Sequence, residues 1–317
     1  MFYNFEEMTF EEFLGEWRGD SQYIEARTSG STGEPKIIRL SKSFVRDSAL
    51  RTNRFFSITK DSRLHSCVAA DFIGGKMMAV RGDLAECVFS YEVPSNRPLT
   101  TFEVTDRIDL LAVVPSQMIH ILDNLSKMPV IGAIIIGGSA IDPLLKDRIM
   151  SSGLNAFETY GMTETSSHIA LRKIAPDEEW FETLEDIKVS LDDRGCLVID
   201  FTTGEHIVTN DIAVVDSDSR FKITGRWDQV IITGGKKVNP YEVERIISPL
   251  IDAPFVITSV ADIKWGRKIV LRIEGDNYCR EDELMSRMRE LIPSWKLPKE
   301  IEWVKALPRT ANGKLKR

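Results

Sequence analysis

The run Thr28-Ser29-Gly30-Ser31-Thr32-Gly33-Glu34-Pro35-Lys36 combines hydroxyls, glycines and a closing lysine. Glycine lets backbone N–H groups turn toward an anion with no Cβ in the way, hydroxyls add neutral donors, and Lys36 adds a point charge. Such residues can cradle a polyphosphate. The spacing is not that of the Walker loop, because Pro35 precedes the lysine and Ile37, rather than Ser or Thr, follows it. Taken alone, a Gly/Ser/Thr cluster is more often a flexible surface loop.

Other groups downstream change that reading. Tyr160-Gly161-Met162-Thr163-Glu164-Thr165 gathers a ring, hydroxyls and a carboxylate that could stack a flat base, touch a phosphate and hold a hard divalent cation. The same residues would also serve as a capped helix start. Gly137-Gly138-Ser139 directly follows the apolar run Ile134-Ile135-Ile136, where open α/β sheets bring ligands to the carboxyl ends of their strands. Asp211 ends Thr209-Asn210-Asp211, Arg226 ends Thr224-Gly225-Arg226, and Pro308 to Lys314 forms a glycine-containing turn that presents a lysine.

The elements that position these groups are legible in outline. Phe10, Phe13, Leu14 and Trp17 recur at helical spacing, Ile37 to Leu40 predicts the returning arm of a hairpin, and Ser41 predicts the cap of a helix carrying Phe44, Val45 and Ala49. Apolar runs at 64–70, 87–91, 110–114 and 131–136 alternate with helical stretches, some opened by Pro115 and Asp142-Pro143; this predicts a mostly parallel sheet covered by helices. Residues 185–224 turn β-rich. Asn239-Pro240-Tyr241-Glu242 predicts a helix start with Asn239 as cap and Glu242 completing a capping box, followed by strands at 255–260 and 268–273, a charged helix at 281–291 and a strand at 300–304.

A length of 317 residues suits two domains. A net charge of −7 leaves no general basic field, which argues against nucleic acid and anionic membrane as partners. Cys67, Cys87, Cys196 and Cys279 lie far apart, as expected of reduced thiols in the cytoplasm rather than a disulfide framework or a zinc site. No apolar run approaches the length of a membrane span, so no membrane insertion is expected. His65, His120, His168 and His206 show no metal-ligand spacing and read as scattered residues, and Met77-Met78 reads as packing in an apolar helix. Lys236-Lys237 reads as a solvated pair that could also reach phosphates.

With Thr28–Lys36, Tyr160–Thr165, Gly225–Glu244 and Pro308–Lys314 in this order, the chain resembles the adenylate-forming enzymes: acyl-CoA synthetases, peptide-synthetase adenylation domains and luciferases. The resemblance runs from about residue 28 to the end. It implies an α/β fold, with a large N-terminal domain of αβαβα layers and a β-rich part over 1–227, and a small mobile α+β domain over 228–317 that swings at Asp228. It implies ATP, Mg²⁺ and coenzyme A as cofactors and a small-molecule carboxylate as substrate, and it leaves a homodimer open.

By the same resemblance Thr28, Ser29, Gly30, Ser31, Thr32, Gly33 and Lys36 would wrap the β- and γ-phosphates. Gly138 and Ser139 would face the adenine, Tyr160 would stack on it, and Gly161 would lie beside it. Thr163 would touch the α-phosphate, Glu164 would hold Mg²⁺, Asp211 and Arg226 would grip the ribose, and Lys314 would bridge carboxylate and α-phosphate. Gly75–Arg81, Val114–Gln117 and Gly137–Ile141 are most similar to the o-succinylbenzoate–CoA ligases of menaquinone synthesis, which makes Arg81 and Ser116 the substrate candidates. A solvated Arg81 beside Asp83 is the competing reading. Other aryl or fatty acids, a carrier-protein acceptor and a non-catalytic nucleotide-binding relative are the alternative functions. Two departures from the resemblance stand out: only 27 residues precede Thr28, so part of the family's usual N-terminal subdomain is expected to be missing, and Phe72 stands where many relatives carry a histidine.

Overall fold

The structure, a computed structural model, describes residues 8–28, 36–276, 280–309 and 315. The chain divides into two compact units, Met1–Lys188 with Phe201–Ile207, and Val189–Asp200 with Val208–Arg317. The boundary read from the sequence, 227/228, falls within the second unit.

The first unit opens with α1 (Phe10–Arg18), whose Thr9 and Glu12 form a reciprocal capping box and whose Phe10, Phe13 and Trp17 are buried. β1 (Tyr23–Arg27) and β2 (Ile37–Ser41) make a hairpin. The Ser41 side chain then accepts from Phe44 N and starts α2 (Lys42–Phe55), as its sequence predicts. There follow β3 (Arg63–Ser66), α3 (Ile73–Ala85), β4 (Val88–Tyr91), β5 (Arg107–Val113), α4 (Pro115–Asp123), β6 (Val130–Ile136), α5 (Pro143–Ser152), β7 (Ala156–Met162), β8 (Ser167–Lys173) and β9 (Phe181–Thr183).

Within this unit the strands order as β4-β3-β5-β6-β7-β8-β9. They pair parallel as far as β7 and antiparallel from β7 onward. The last four residues of both β5 and β6 are buried without alternation, which is the mark of central strands covered on both faces. Ile108, Leu111, Val113, Met118, Ile134, Ile136 and Ile149 are among the residues of their shared core. β3 is shorter than its apolar run, because the Ser66 hydroxyl accepts from Val68 N and turns the chain out of the ladder. Met77 and Met78 are fully buried in α3, as expected of packing residues.

After β9 the chain continues with β10 (Ile187–Leu191), β11 (Cys196–Phe201) and β12 (His206–Ser217), each of which has residues in both units, and then, in the second unit, β13 (Arg220–Arg226), β14 (Ile231–Thr233), β15 (Lys236–Val238), α6 (Pro240–Ile247), β16 (Phe255–Asp262), β17 (Gly266–Glu274), α7 (Glu281–Leu291) and β18 (Glu300–Val304). β16 and β17 pair antiparallel and β18 joins β17 in parallel, with α7 as the crossover. One apolar cluster, including Ile231, Val243, Ile247, Ile257, Leu271 and Met288, draws only on residues 231–303. Asn239 caps α6 by accepting from Tyr241 N, but Glu242 does not close the predicted box. Its carboxylate takes Lys296 Nζ at 2.6 Å instead, a tertiary ion pair in place of a local bond. Cys67 and Cys196 are buried free thiols and Cys87 is half-buried; Cys279 lies outside the described residues. Among the described residues no helix is long and apolar enough to cross a membrane.

Candidate active site

The phosphate-cradle motif is the connection of the β1–β2 hairpin. The last ladder pair is Arg27 with Ile37. Beyond it, Thr28 N donates to Lys36 O at 2.9 Å and Lys36 N donates to Thr28 Oγ1 at 3.1 Å. These two bonds pin the base of the loop and leave the Lys36 side chain exposed. Ser29, Gly30, Ser31, Thr32 and Gly33 lie outside the described residues.

The Tyr160–Thr165 motif meets that base. Thr163 Oγ1 donates to Arg27 O at 3.4 Å, across 136 residues of chain. The motif is the turn of the β7–β8 hairpin, with Met162 paired to Ser167, and not a helix start. The Thr165 hydroxyl, which could have capped a helix, accepts from Met162 N at 2.9 Å and donates to Ser167 O at 2.6 Å, closing the turn. Ser166 and Ser167 are left with φ of 54° and 83°, a region that costs a non-glycine residue about 1–3 kcal/mol. The surroundings hold them there: Ser48 Oγ on α2 donates to Ser166 O at 2.8 Å, a buried bond. Gly161 sits at an irregularity in this pairing, where a Cβ would come within 2.2 Å of Ser167 O, so only glycine fits. The Tyr160 ring lies 5.8 Å from that of Phe181, which itself packs under the Arg172 guanidinium at 4.5 Å. Glu164 is exposed at the tip of the turn.

Gly137-Gly138-Ser139 leaves the carboxyl end of β6 beside the same strand. Gly137 N donates to Val113 O at 3.1 Å and Thr159 Oγ1 donates to Ile136 O at 3.2 Å. Gly138 has φ +88°, which its residue type permits. The loop at 28–36, the turn at 163–166 and the exit of β6 are thus tied by hydrogen bonds to neighbouring strands at their carboxyl ends. An exposed carboxylate beside hydroxyls and a loop base suits Mg²⁺, which is commonly held by one or two carboxylates together with substrate phosphates.

Arg81 is not a surface residue. It lies on α3 with 1% exposure, and Asp83 is engaged elsewhere, by Trp17 Nε1 and Arg18. Among the described residues Arg81 Nε and Nη2 have no hydrogen-bond partner, and Nη1 reaches only Met78 Sδ at 3.5 Å. Burial alone pushes its guanidinium down to about 9. His168 on β8 is buried as well, and burial together with the Arg81 charge holds its imidazole well below the ordinary range. Its Nε2 lies 3.0 Å from Thr52 Oγ1, whose own proton points to Ser48 O at 3.3 Å, so the neutral ring donates from Nε2. The sequence offered no sign of His168, because a lone histidine in a strand buried without alternation carries no spacing signal. Ser116 is exposed on the first turn of α4.

In the second unit Asp211 and Arg226 face each other across the β12–β13 ladder. Arg226 Nη1 donates to Asp211 Oδ1 at 2.9 Å, while Nε and Nη2 donate to Asp228 at 3.1 and 2.8 Å. The hydrogen bonds to Asp228 come first among the causes that hold the guanidinium above its ordinary range. The two expected ribose contacts and the expected hinge are therefore one ion-pair cluster. Lys236 and Lys237 are exposed on the β14–β15 hairpin, their ammonium groups 5.1 Å and 4.6 Å from the rings of Trp295 and Trp227. Lys314 lies outside the described residues; Arg309 and Leu315 form an antiparallel bridge.

Comparison with known proteins gives this arrangement a family. The AMP-binding enzyme family matches residues 27–212, and the AMP-binding enzyme C-terminal domain matches residues 256–314. A 2-succinylbenzoate–CoA ligase of Bacillus cereus (strain Q1) is 24% identical over 335 residues, covering 92% of this chain and 68% of the relative. The chain thus spans about two thirds of that protein's length. An acyl-CoA synthetase (AMP-forming)/AMP-acid ligase II-like protein from Dyadobacter fermentans is 30% identical, with a TM-score of 0.63 over 98% of this chain and 91% of that one. The o-succinylbenzoate CoA synthetase of Bacillus subtilis, solved with its acyl-adenylate intermediate, shares the fold at 19% identity, with a TM-score of 0.77 over 92% of this chain and 67% of that one. With more than half of its residues matched in sequence, the chain belongs to the AMP-binding enzyme family.

Proposed function

We propose that the protein is an ATP-dependent acid–CoA ligase whose acid carries a second carboxylate, with o-succinylbenzoate as the substrate and menaquinone synthesis as the setting. The single observation that carries the choice of acid is Arg81, a buried guanidinium with two nitrogens unpartnered among the described residues. A charge held this way is costly until an anion enters and pairs with it, so it discriminates in favour of a diacid. The relatives named for this same acid support the reading.

In the first half-reaction the substrate carboxylate oxygen attacks the α-phosphorus of ATP, the P–O bond to the β-phosphate breaks, and pyrophosphate leaves. The loop from Thr28 to Lys36 takes the β- and γ-phosphates, Thr163 the α-phosphate, Gly138 and Ser139 the adenine with Tyr160 and Gly161 beside it, and Asp211 and Arg226 the ribose. Glu164 would hold Mg²⁺, which offsets the phosphate charge. Lys314 offsets the charge that builds as one anion attacks another. In the second half-reaction the CoA sulfur attacks the acyl carbonyl, and AMP leaves with the bonding pair.

Residues 228–317 act as the moving part, with Asp228 as the hinge; the apolar cluster confined to residues 231–303 supports a boundary just before it. Ser116, at the exposed start of α4, lines the acyl site. The test is pyrophosphate release with o-succinylbenzoate, with a matched monocarboxylic aryl acid and with a fatty acid, each with and without CoA. Preference for the diacid and CoA-dependent thioester formation are expected. Equal kcat/KM for diacid and monoacid would sink the choice of acid, and no pyrophosphate release with any acid would sink the ligase.

A further inference from the structure

β3 and β4 pair in parallel with His65 opposite Ser90 and Ser66 opposite Tyr91. This register brings the residues that follow, Cys67 and Glu92, alongside His65. A ring nitrogen of His65, Cys67 Sγ and a Glu92 carboxylate oxygen all lie within 4.8 Å of one another, with His65 Nε2 3.9 Å from Glu92 Oε2. His65 and Cys67 are buried, while the Glu92 side chain keeps 18% of its surface exposed and so opens the group to solvent.

The Ser90 hydroxyl carries one proton and donates it to Leu64 O at 3.3 Å. With that proton on Leu64 O, the 2.8 Å contact with His65 Nδ1 is assigned as Nδ1–H donating to Ser90 Oγ, the tautomer that leaves Nε2 as a lone pair. Among the described residues Nε2 has no hydrogen-bond partner, although it is buried. A lone pair, a thiol and a carboxylate converge on one point; Glu92 already accepts from Leu99 N and from the Cys67 thiol, and a cation that displaces the thiol proton would also engage the His65 lone pair.

We propose that His65 Nε2, Cys67 Sγ and the Glu92 carboxylate bind one borderline-soft divalent cation of the zinc type, with water as fourth ligand. Nitrogen, sulfur and oxygen donors together select zinc over magnesium or calcium, which prefer oxygen alone. Tetrahedral zinc with bonds of about 2.0–2.3 Å sets ligand atoms about 3.3–3.8 Å apart, within a small side-chain adjustment of the spacing here. The outer contacts are those of a metal site. Ser90 fixes the tautomer of His65, and Leu99 N donates to both oxygens of Glu92 at 3.2 and 3.0 Å. Gln117 Nε2 donates to Cys67 O at 2.9 Å and to Ser95 O at 3.1 Å, linking the thiol's backbone to the segment after β4. The ion would staple β3, β4 and the 92–99 segment, and it is separate from the Mg²⁺ that accompanies the nucleotide.

The test is cobalt(II) titration of chelator-stripped full-length protein in saturating Mg²⁺. One equivalent should give a thiolate-to-cobalt charge-transfer band with tetrahedral d–d absorption, bleached by added zinc. Cys67→Ser should abolish the charge-transfer band, Glu92→Gln should weaken cobalt binding at least 10-fold, and Cys87→Ser should leave both unchanged. Zinc should raise the melting temperature of the wild type and of Cys87→Ser but not of His65→Gln. The absence of a band in the wild type, or a band that survives Cys67→Ser, overturns the proposal. If Cys67→Ser fails to fold, Glu92→Gln, on the partly exposed ligand, decides: unchanged cobalt affinity there overturns it as well.

Discussion

At the scale of single residues, Arg81 is the group on which the proposed choice of acid rests, and His168 is a buried imidazole near it. An unpaired buried guanidinium is a standing cost in the free protein, so Arg81→Met is expected to raise its stability, by an amount on the order of the 1–4 kcal/mol seen when buried ion pairs give way to packed apolar groups. The same change should lower kcat/KM for the diacid by about 10-fold or more while leaving KM for ATP near its starting value. Thermal melts and paired kinetics on diacid and monoacid check both halves. A lower melting temperature with an unchanged diacid preference would remove Arg81 from the acyl site. His168 makes a separate prediction with a definite sign. Burial, and then Arg81, hold its folded-state pKa well below the unfolded value near 6.5, so below that pH the unfolded chain binds a proton that the folded chain refuses. Its contribution to stability is complete above about pH 6.5 and falls by about 1.4 kcal/mol per pH unit on acidification until the folded imidazole itself titrates. Urea unfolding across this window should show the slope in the wild type and a shallower one in His168→Gln. Equal slopes would mean that the ring is charged in the folded state.

At the scale of elements, the β7–β8 hairpin is the part most sensitive to a single methyl group. A Cβ at Gly161 would stand 2.2 Å from Ser167 O and 2.5 Å from His168 Cα, backbone neighbours that cannot step aside without opening the ladder. Gly161→Ala is expected to cost about 2 kcal/mol or more and to raise KM for ATP, because the turn that carries Thr163 and Glu164 would shift from the base of the phosphate loop. Wild-type melting and ATP kinetics in this variant would show that the hairpin tolerates the strain.

At the scale of the whole molecule, the proposed cycle divides between Lys314 and Asp228. Lys314→Ala is expected to lower adenylation on the order of 100-fold or more while thioester formation from supplied acyl-adenylate continues, since only the first step builds charge beside that lysine. Asp228→Pro should do the opposite. Proline fixes φ near −65°, and the substitution also removes the carboxylate that holds Arg226 Nε and Nη2, so adenylate should accumulate while CoA transfer stalls. Single-turnover measurements of pyrophosphate and of thioester separate the two steps. Equal loss of both in either variant would remove that residue from its assigned half-reaction.

The sequence by itself determined what short-range geometry and residue order can express. Ser41, Asp142 and Asn239 cap the helices they were expected to cap, because a cap is a bond to an N–H two or three residues away. The unbroken apolar runs of β5 and β6 gave a parallel sheet, and the order of the motifs gave the family. Tertiary structure alone decided where long-range partners fell. Glu242 leaves its capping box for Lys296, a partner 54 residues away that the local pattern does not encode. Whether Arg81 faces water or the interior depends on what packs against α3, and a charge reads the same in sequence either way. His65, Cys67 and Glu92 show no ligand spacing along the chain; the register of β3 on β4 brings them together, since parallel pairing aligns residues separated by a whole crossover helix.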